Sequence, residues 1–431
     1  MATEYDVIVV GAGPAGLMAA KTAAEQNLKV ALIERRKDIT RWIRADCMQF
    51  YGLEGNFLGE NIKVKLGKVI FPKNRFEVKY TGGLYPSFHW RVFSPGGYGI
   101  DFASEEPIAL FFDKEVLLKN LLDEVSRLGI TVLDNTMAVE GENTKDGVRI
   151  KITGKGKESW IEAKKAIAAD GINSRMVESL GLNKGRTCMG TFLVAHYILE
   201  GVENPYPNSW IQFYGKSISP FCPPHFHPTV LGEKCYKLGS MRPSPESPEK
   251  DLRILTTKSR YSSWFKNMKI VGKMSAVVNS YMPIPEPYKG NFLIIGDAVA
   301  FAEVENQGAL MCGYKAGKSL IKEIQQQKGF KEYTRWWKRS FEFLSPEIHK
   351  IAQGYLINPF YEDEEIDYLF SLVEGESLKG TMNQYKLPKI LWDAIFQHKE
   401  RIQKERPELN QKIESIHKMT LQEGFMADKG K

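Results

Sequence analysis

The chain has 431 residues, of which 43% are hydrophobic, so it is long enough and apolar enough to build a sizeable folded core. Its 59 basic and 52 acidic residues leave a formal net charge of +7. The basic residues do not form a block, which argues against binding of nucleic acid. Five scattered cysteines without a CxxC motif are typical of a reducing compartment rather than of a disulfide framework.

The sequence predicts neither a targeting segment nor a membrane-spanning segment. Met1–Asp6 is polar and leads straight into an apolar run, unlike a signal peptide. No uninterrupted apolar run of about 18 residues follows, and we therefore expect a cytoplasmic protein. Basic residues are enriched in the segment 386–418. This enrichment is typical of a solvated helical face, and it also suits peripheral contact with anionic lipid at the inner face of the membrane.

The N-terminal residues predict a strand followed by a glycine-rich turn and a helix. The run VIVV is continuously apolar, as expected for a strand that is buried on both faces. Gly11, Gly13 and Gly16 then form a GxGxxG motif. In such a motif the glycines permit a tight turn, a close approach of the backbone to a pyrophosphate, and close packing of the helix on the strand.

The helix and the second strand complete a dinucleotide-binding unit. Pro14 and Ala15 begin the helix, whose first N–H groups and dipole attract phosphate. The second strand, Lys29–Ile33, ends in Glu34 and Arg35. An acid about twenty residues after the glycines accepts hydrogen bonds from the ribose hydroxyls and disfavours a 2′-phosphate. The unit therefore predicts a site for the adenosine half of FAD or NAD rather than of NADP.

Two later segments each have an acid at the end of an apolar strand. The first strand leads into Asp170 and Gly171, with Arg175 shortly before a helix. The second leads into Gly296 and Asp297, ahead of a helix rich in small residues. A buried carboxylate needs hydrogen-bond partners, and Asp297 has none nearby in sequence. Either the next helix or a cofactor hydroxyl would satisfy it. A simple NAD dehydrogenase needs neither segment, so the pair favours FAD.

At this order and spacing, the three motifs resemble the flavoprotein superfamily of aromatic hydroxylases and geranylgeranyl reductases. The resemblance implies an α/β fold with a Rossmann-like FAD-binding domain of the glutathione reductase type, an inserted antiparallel β substrate domain and a C-terminal helical region. The FAD-binding domain is expected to be discontinuous and to comprise residues 1–62, 105–189 and 286–329. The domain covering the substrate side of the flavin would comprise residues 63–104 and 190–285, and the helical region residues 330–431.

The resemblance also implies which residues bind FAD. Asp297 would bind the ribityl hydroxyls, and the helix after it would point at the pyrophosphate or at the pyrimidine end of the ring. The family usually has an arginine at the position of Lys114, where lysine keeps the charge but loses the bidentate fork. The predicted cofactor-binding residues are Gly11, Gly13, Pro14, Ala15, Gly16, Glu34, Arg35, Cys47, Lys114, Asp170, Gly171, Arg175, Gly296, Asp297, Gly308 and Ala309.

Three residues are predicted to take part in catalysis, namely Cys47, Glu303 and His225. Geranylgeranyl reductases have a cysteine followed by glycine beside the flavin ring, and Cys47 matches that position, although Met48 replaces the glycine. A buried inert cysteine is the alternative. Glu303 is either a general acid near the ring or a solvated loop acid. His225 and His227 suit proton donors over the flavin, or a rigid surface loop between prolines.

The same histidines raise the question of a metal. Together with Cys222 and Cys235 they are residue types that bind zinc, but their spacing fits no common zinc pattern, and no metal is predicted. His196, inside an apolar strand, is expected to be a core residue with satisfied polar atoms.

The expected function is that of an FAD-dependent ene-reductase that saturates C=C bonds of a long apolar substrate, such as a geranylgeranyl lipid, with hydride from flavin N5. The superfamily's hydroxylases usually continue the Gly-Asp motif with histidine and proline, which are missing here, and no halogenase WxWxIP run is present. A flavin monooxygenase acting on an aromatic or polyene, and a flavoprotein that carries electrons to a quinone or partner protein, stay open as alternatives. Only one dinucleotide fingerprint is present, so the electron donor would be transiently bound NAD(P)H or a ferredoxin-type protein.

Overall fold

The computed structural model describes residues 4–51, 53, 58–300, 305–341, 357–383, 386–419 and 423. Its strands are β1 (Tyr5–Val10), β2 (Val30–Ile33), β3 (Gln49–Tyr51), β4 (Lys63–Lys65), β5 (Lys68–Phe71), β6 (Phe76–Lys79), β7 (Leu84–Ser87), β8 (His89–Phe93), β9 (Gly99–Ala103), β10 (Ala109–Phe112), β11 (Thr131–Leu133), β12 (Thr136–Asn143), β13 (Val148–Gly154), β14 (Lys157–Ala168), β15 (Cys188–Glu200), β16 (Ser209–Phe213), β17 (His225–Pro228), β18 (Tyr236–Pro243), β19 (Lys269–Tyr281), β20 (Tyr288–Lys289), β21 (Phe292–Ile294) and β22 (Ser377–Lys379).

Its α-helices are α1 (Pro14–Ala24), α2 (Lys114–Arg127), α3 (Arg175–Ser179), α4 (Glu249–Thr257), α5 (Glu305–Ile324), α6 (Gly329–Ser340), α7 (Ile357–Phe360), α8 (Asp363–Val373), α9 (Leu387–Phe396), α10 (Lys399–Glu405) and α11 (Pro407–Ile416). None of the described helices is both long enough and apolar enough to cross a membrane.

The first sheet is the parallel core that the N-terminal motif predicts. Its strands run in the order β11-β2-β1-β14-β13-β12, and β21 pairs with β14 on a branch of this sheet. The strands β2, β1, β14 and β21 are parallel to one another, and all their residues except Asp6 and part of β14 are buried. Burial on both faces explains why these strands read as continuous apolar runs.

Parallel strands end at the same edge of a sheet, and this edge collects the motifs. Gly11 follows β1, Glu34 follows β2, Asp170 follows β14 and Asp297 follows β21. Segments that are far apart in sequence therefore meet at one crevice, as ligand sites of open α/β sheets do.

Helix α5 packs closely on α1 through small residues. A Cβ atom added to Gly313 would lie 2.3 Å from the carbonyl oxygen of Ala15, and one added to Gly317 would lie 2.6 Å from Cβ of Thr22. Only glycine fits such an approach. This contact explains the small residues in the helix after Asp297.

The second large sheet has the strand order β19-β15-β18-β17-β16-β8-β9-β22. Most neighbours are antiparallel, as predicted, but β16–β8 and β22–β9 are parallel. These two pairs join segments far apart in the chain, so no hairpin dictates an antiparallel direction. The C-terminal region, which is predicted to be helical, thus also contributes β22 at an edge of this sheet. The division into three domains stays a prediction.

Candidate active site

A cavity of about 620 Å³ opens at the carboxyl edge of the parallel sheet. Most of the predicted cofactor-binding residues line it, namely Gly11, Gly13, Pro14, Ala15, Glu34, Arg35, Cys47, Lys114, Asp170, Gly171, Gly296, Asp297 and Ala309. Gly16, Arg175 and Gly308 are not among the lining residues. Arg175 is exposed, and a Cβ added to Gly308 would meet Leu58 and Phe341.

The glycine turn has the geometry of a phosphate cradle. Gly11 has φ +98, and a Cβ there would lie 2.4 Å from the carbonyl oxygen of Ala169. A Cβ at Gly16 would lie 1.7 Å from the carbonyl oxygen of Gly11, so this glycine serves the packing of α1 on β1. A Cβ at Gly13 would meet no atom within 4 Å. No side chain caps the start of α1, which leaves its first N–H groups available to an anion.

Glu34 is a buried carboxylate on the cavity wall, directly after β2. Its Oε2 accepts a hydrogen bond from the Ala12 backbone at 2.7 Å, and its Oε1 accepts from Nε of Arg36 at 3.0 Å. Burial opposes ionisation of Glu34, but the Arg36 guanidinium and backbone N–H groups outweigh it and lower the pKa. Glu34 is therefore an ionised acceptor with a fixed orientation. Arg36 was not predicted, because it belongs to no sequence motif.

The other two acids at this edge differ in what satisfies them. Asp170 accepts hydrogen bonds from Oγ of Ser174 at 2.5 Å and from the Met176 backbone at 3.2 Å, and burial raises its pKa. Its carboxylate thus fixes the turn before α3 as well as lining the cavity. Asp297 lies in a short 3₁₀ turn, Gly296–Ala298, directly after β21. Its position on the cavity wall suits contact with cofactor hydroxyls.

Lys114 forms a salt bridge with Asp46, a residue that was not predicted to belong to the site. Its side chain is almost fully buried at the start of α2, where its ammonium group pairs with Asp46. The ammonium also lies 3.9 Å from the ring centroid of Trp42. Burial opposes ionisation of Asp46, but the charges of Lys114 and Lys237 and the Met48 N–H outweigh it and lower the pKa to about 2.

Cys47 follows Asp46 and lines the cavity. Its Sγ lies 3.7 Å from Nε2 of His225, so the fold brings two of the three predicted catalytic residues into contact. Met48 adopts φ +55, a conformation that glycine enters easily and other residues enter at a cost. This explains why a glycine suits the position after the cysteine. Glu303, the third predicted residue, lies outside the described residues.

Four nitrogen-bearing side chains lie together behind Cys47. In the large sheet, His225 pairs with Gly239 and His227 with Lys237, while His196 pairs with Gly239 from the other side. Because side chains alternate along strands, these residues share one face. A Cβ at Gly239 would lie 2.4 Å from Nε2 of His225, so only glycine leaves room for the histidines.

The alternative that His225 and His227 belong to a rigid surface loop is wrong. They belong to β17, an inner strand of the large sheet, because each prolyl ring lies where the strand starts or ends rather than inside it. Burial holds all three histidines neutral: it lowers the pKa of His225 to about 3, and the pKa values of His196 and His227 fall well below the usual range.

The burial of His196 is as expected, but its polar atoms are not all satisfied. Nδ1 of His196 and Nε2 of His227 have no hydrogen-bond partner among the described residues. Trp210, on β16, stacks on the rings of His225 and His227 at centroid distances of 4.9 and 4.6 Å. The result is a buried polar patch with an aromatic wall, which we call the histidine face: His196, Trp210, His225, His227 and Lys237.

In the structure, the residues that could together bind a metal differ from the set considered in the sequence. The ligand atoms of Cys47, His225 and His227 lie within 4.8 Å of one another, whereas Cys235 contacts Glu200. Lys237 is buried beside this group, and its charge contributes to the low pKa values of both histidines. A dication would be repelled by that ammonium group. The absence of a metal stays a prediction.

Known proteins are similar to this chain in sequence and in fold. Residues 4–303 match the family described as FAD binding domain. The chain is 32% identical over 433 residues to digeranylgeranylglycerophospholipid reductase 1 of Methanothermobacter thermautotrophicus, an alignment that covers 92% of this chain and 98% of the relative. It is 27% identical over 399 residues to the digeranylgeranylglycerophospholipid reductase of Methanocaldococcus jannaschii, covering 87% and 92%.

Solved structures with this fold include reductase-like and monooxygenase members. A geranylgeranyl bacteriochlorophyll reductase-like protein of Thermoplasma acidophilum has a TM-score of 0.70 at 18% identity, over 96% of this chain and 99% of that one. The p-nitrophenol 4-monooxygenase of Pseudomonas putida has a TM-score of 0.61 at 15% identity, over 93% and 98%. At these identities the likeness shows a common fold.

The parallel sheet, the glycine cradle and the row of acids at one edge define an FAD-dependent oxidoreductase. The chain belongs to the geranylgeranyl reductase family of FAD-binding-domain proteins. The predicted fold class, cofactor and enzyme class are confirmed.

Proposed function

We propose that this enzyme saturates C=C bonds in the isoprenoid chains of a lipid. The observation that carries the proposal is the contact between Cys47 and His225 at the wall of the cofactor cavity, with 3.7 Å between Sγ and Nε2. A thiol thus lies between the cofactor edge of the parallel sheet and the histidine face. The relatives in Methanothermobacter thermautotrophicus and Methanocaldococcus jannaschii, named digeranylgeranylglycerophospholipid reductases, support the same substrate class.

The residues of the cavity wall suit FAD in one orientation. Bound FAD, once reduced, supplies a hydride from N5 to one alkene carbon. The first turn of α1 after Gly13 would hold the pyrophosphate, Glu34 the adenosine ribose and Asp297 the ribityl chain. In this orientation the flavin ring would lie in the part of the cavity that Cys47 lines.

Cys47 supplies the proton for the second alkene carbon. Its S–H bond breaks as the new C–H bond forms, so the alkene gains one hydride from the cofactor and one proton from the thiol. The thiolate that remains recovers a proton from solvent before the next turnover. His225 is neutral because burial lowers its pKa to about 3, so its ring orients the thiol rather than acting as the acid.

An isolated alkene is a poor hydride acceptor, so alignment and exclusion of water matter for this reaction. The histidine face suits both needs, because Trp210 is buried and the ring of Phe111 stacks on His227 at 4.4 Å. These rings form a rigid, buried support for His225, which contacts Cys47.

The electron donor is proposed on chemical grounds. The sequence has one dinucleotide fingerprint, which FAD uses, so NAD(P)H would bind only transiently. A ferredoxin-type protein with an acidic surface is the other donor that suits a chain of net charge +7.

The test is a reduction assay without oxygen. The FAD-loaded protein is reduced with dithionite under argon and mixed with a lipid that has geranylgeranyl chains, and the lipid is analysed by mass spectrometry. We expect a gain of two hydrogens for each double bond, and no change in a matched lipid with saturated chains. No gain under argon would contradict the proposal. Addition of one oxygen atom to the lipid, in air with NAD(P)H, would instead support a monooxygenase. If neither experiment gave a product, the result would support an electron carrier.

A further inference from the structure

One buried cation of the histidine face has no part in the mechanism described above. Lys237, on β18, is 0% exposed. Its Nζ donates a hydrogen bond to the backbone oxygen of Asp46 at 2.8 Å. Among the described residues, Lys237 forms no salt bridge; the nearby Asp46 carboxylate, which its charge helps to keep ionised, pairs with Lys114. A buried ammonium group in this situation is costly unless a negative charge is supplied nearby.

The peptide group to which Lys237 donates this hydrogen bond is the one that joins Asp46 to Cys47. The ammonium therefore lies next to the residue whose thiol lines the cofactor cavity. Burial lowers the pKa of Lys237 to about 8, and the neighbouring Cys47 and Asp46 act in the opposite direction. At neutral pH Lys237 is accordingly charged.

Among the described residues, the other titratable groups around Lys237 form no salt bridge with it, although the charges of Asp46 and Asp113 act on it. The carboxylate of Asp113 accepts from the Glu115 backbone at 2.8 Å and caps α2. The three histidines are neutral, and each would be only a cation if it were protonated. The groups that face Lys237 are Asp46 and Cys47 before β3, Asp113 and Lys114 at the start of α2, His196 on β15, and His225 and His227 on β17.

We propose that Lys237 is the counter-ion of the Cys47 thiolate. It is a positioning residue: its ammonium group stabilises the anion that forms when Cys47 gives up its proton, and its hydrogen bond to Asp46 fixes the loop that carries the thiol. A cation at this place makes a thiol a stronger acid. The inference rests on the proposed function only for the moment at which the thiolate forms in the reaction.

The test measures the acidity of Cys47 directly, without a substrate. The FAD-loaded protein is alkylated with iodoacetamide across a pH series, and the modified peptides are quantified by mass spectrometry. Cys188, which is exposed, serves as the reference in the same sample. We expect the alkylation of Cys47 to rise at a pH at least about one unit below that of an ordinary thiol, near 8.5. A midpoint for Cys47 at or above that of Cys188 would overturn the proposal without any variant.

Variants of Lys237 test its effect on the alkylation midpoint of Cys47. Lys237→Met should raise the midpoint of Cys47 by about one unit or more and slow its alkylation at neutral pH about tenfold, while Lys237→Arg, which keeps the charge, should largely preserve it. Lys273→Met removes an exposed lysine of the same sheet and should change nothing. A folded Lys237→Met protein with an unshifted midpoint would contradict the proposal. If that variant does not fold, the comparison of Cys47 with Cys188 in the wild-type protein decides.

The failure of this inference can be told apart from failure of the proposed function. An enzyme that saturates the lipid but has an ordinary Cys47 midpoint would overturn only the role of Lys237. A low alkylation midpoint of Cys47 without saturation of the lipid would support the pair of Lys237 with the thiolate and contradict the proposed substrate.

Discussion

The carboxyl edge of the parallel sheet and the histidine face of the large sheet are built in opposite ways. At the edge, each functional group lies within a short motif, such as Gly11 with Gly13 or Gly296 with Asp297. At the histidine face, the groups come from four strands, and no two of them except His225 and His227 are close in sequence. The first region suits the binding of a dinucleotide, whereas the second lies beside Cys47, the residue proposed to take part in the chemistry.

The largest expected effect lies at the edge. Gly16→Ala should prevent stable folding of the FAD-binding unit, because its Cβ would lie 1.7 Å from the carbonyl oxygen of Gly11. Gly13→Ala is the matched variant, since its Cβ meets no protein atom within 4 Å. It should fold normally and bind FAD more weakly, because the methyl group enters the space for the pyrophosphate. Thermal unfolding and FAD titration of both proteins measure this difference. Equal behaviour of the two variants would contradict it.

The second effect concerns the chemistry of the histidine face. Cys47→Ser should lower the rate of lipid saturation about 10²–10⁴-fold, because a general acid is lost, while FAD stays bound. Single-turnover rates and the flavin content after purification check this. Cys222→Ser, which alters a cysteine elsewhere in the large-sheet region, is the control. Full activity of Cys47→Ser would reduce Cys47 to packing.

The third effect depends on pH. The pKa of Asp46 is lowered to about 2, so its pairing stabilises the fold above the pKa of the unfolded carboxyl, about 3.9, and this contribution is lost as the pH falls from about 4 to about 2. Asp46→Asn should therefore destabilise the protein by about 2 kcal/mol at neutral pH. The difference from wild type in urea unfolding should shrink towards pH 2. A difference that stays constant over this range would refute the ion pair as its origin.

The smallest effect returns to the edge. Glu34→Gln should weaken FAD binding about tenfold, because a charge-assisted acceptor for the ribose becomes a neutral one. Titration of the apoprotein with FAD measures the change, with the exposed Glu203→Gln as control. An unchanged affinity would exclude Glu34 from the ribose site.

The difference between the two regions also explains how far the sequence could be interpreted. The positions of Glu34 and Asp297 on the cavity wall were predictable because each acid follows a local strand-turn pattern. The ion pair of Asp46 with Lys114 was not, since nothing in the sequence links the two positions. For Lys237 the sequence held one weak signal, a lysine within a predicted strand. The backbone oxygen of Asp46, to which it donates a hydrogen bond, is far away in sequence. Strand β17 was misread because prolines flank it, and β22 because it has only three residues.

The most direct test of the account is a stopped-flow experiment without oxygen. Dithionite-reduced enzyme is mixed with geranylgeranyl lipid, while the visible absorption of oxidised flavin is followed and the lipid product is counted. We predict that flavin reoxidation depends on lipid concentration and saturates, and that one double bond is reduced for each flavin oxidised. Flavin that stays reduced until oxygen is admitted would contradict the assignment as an isoprenoid reductase.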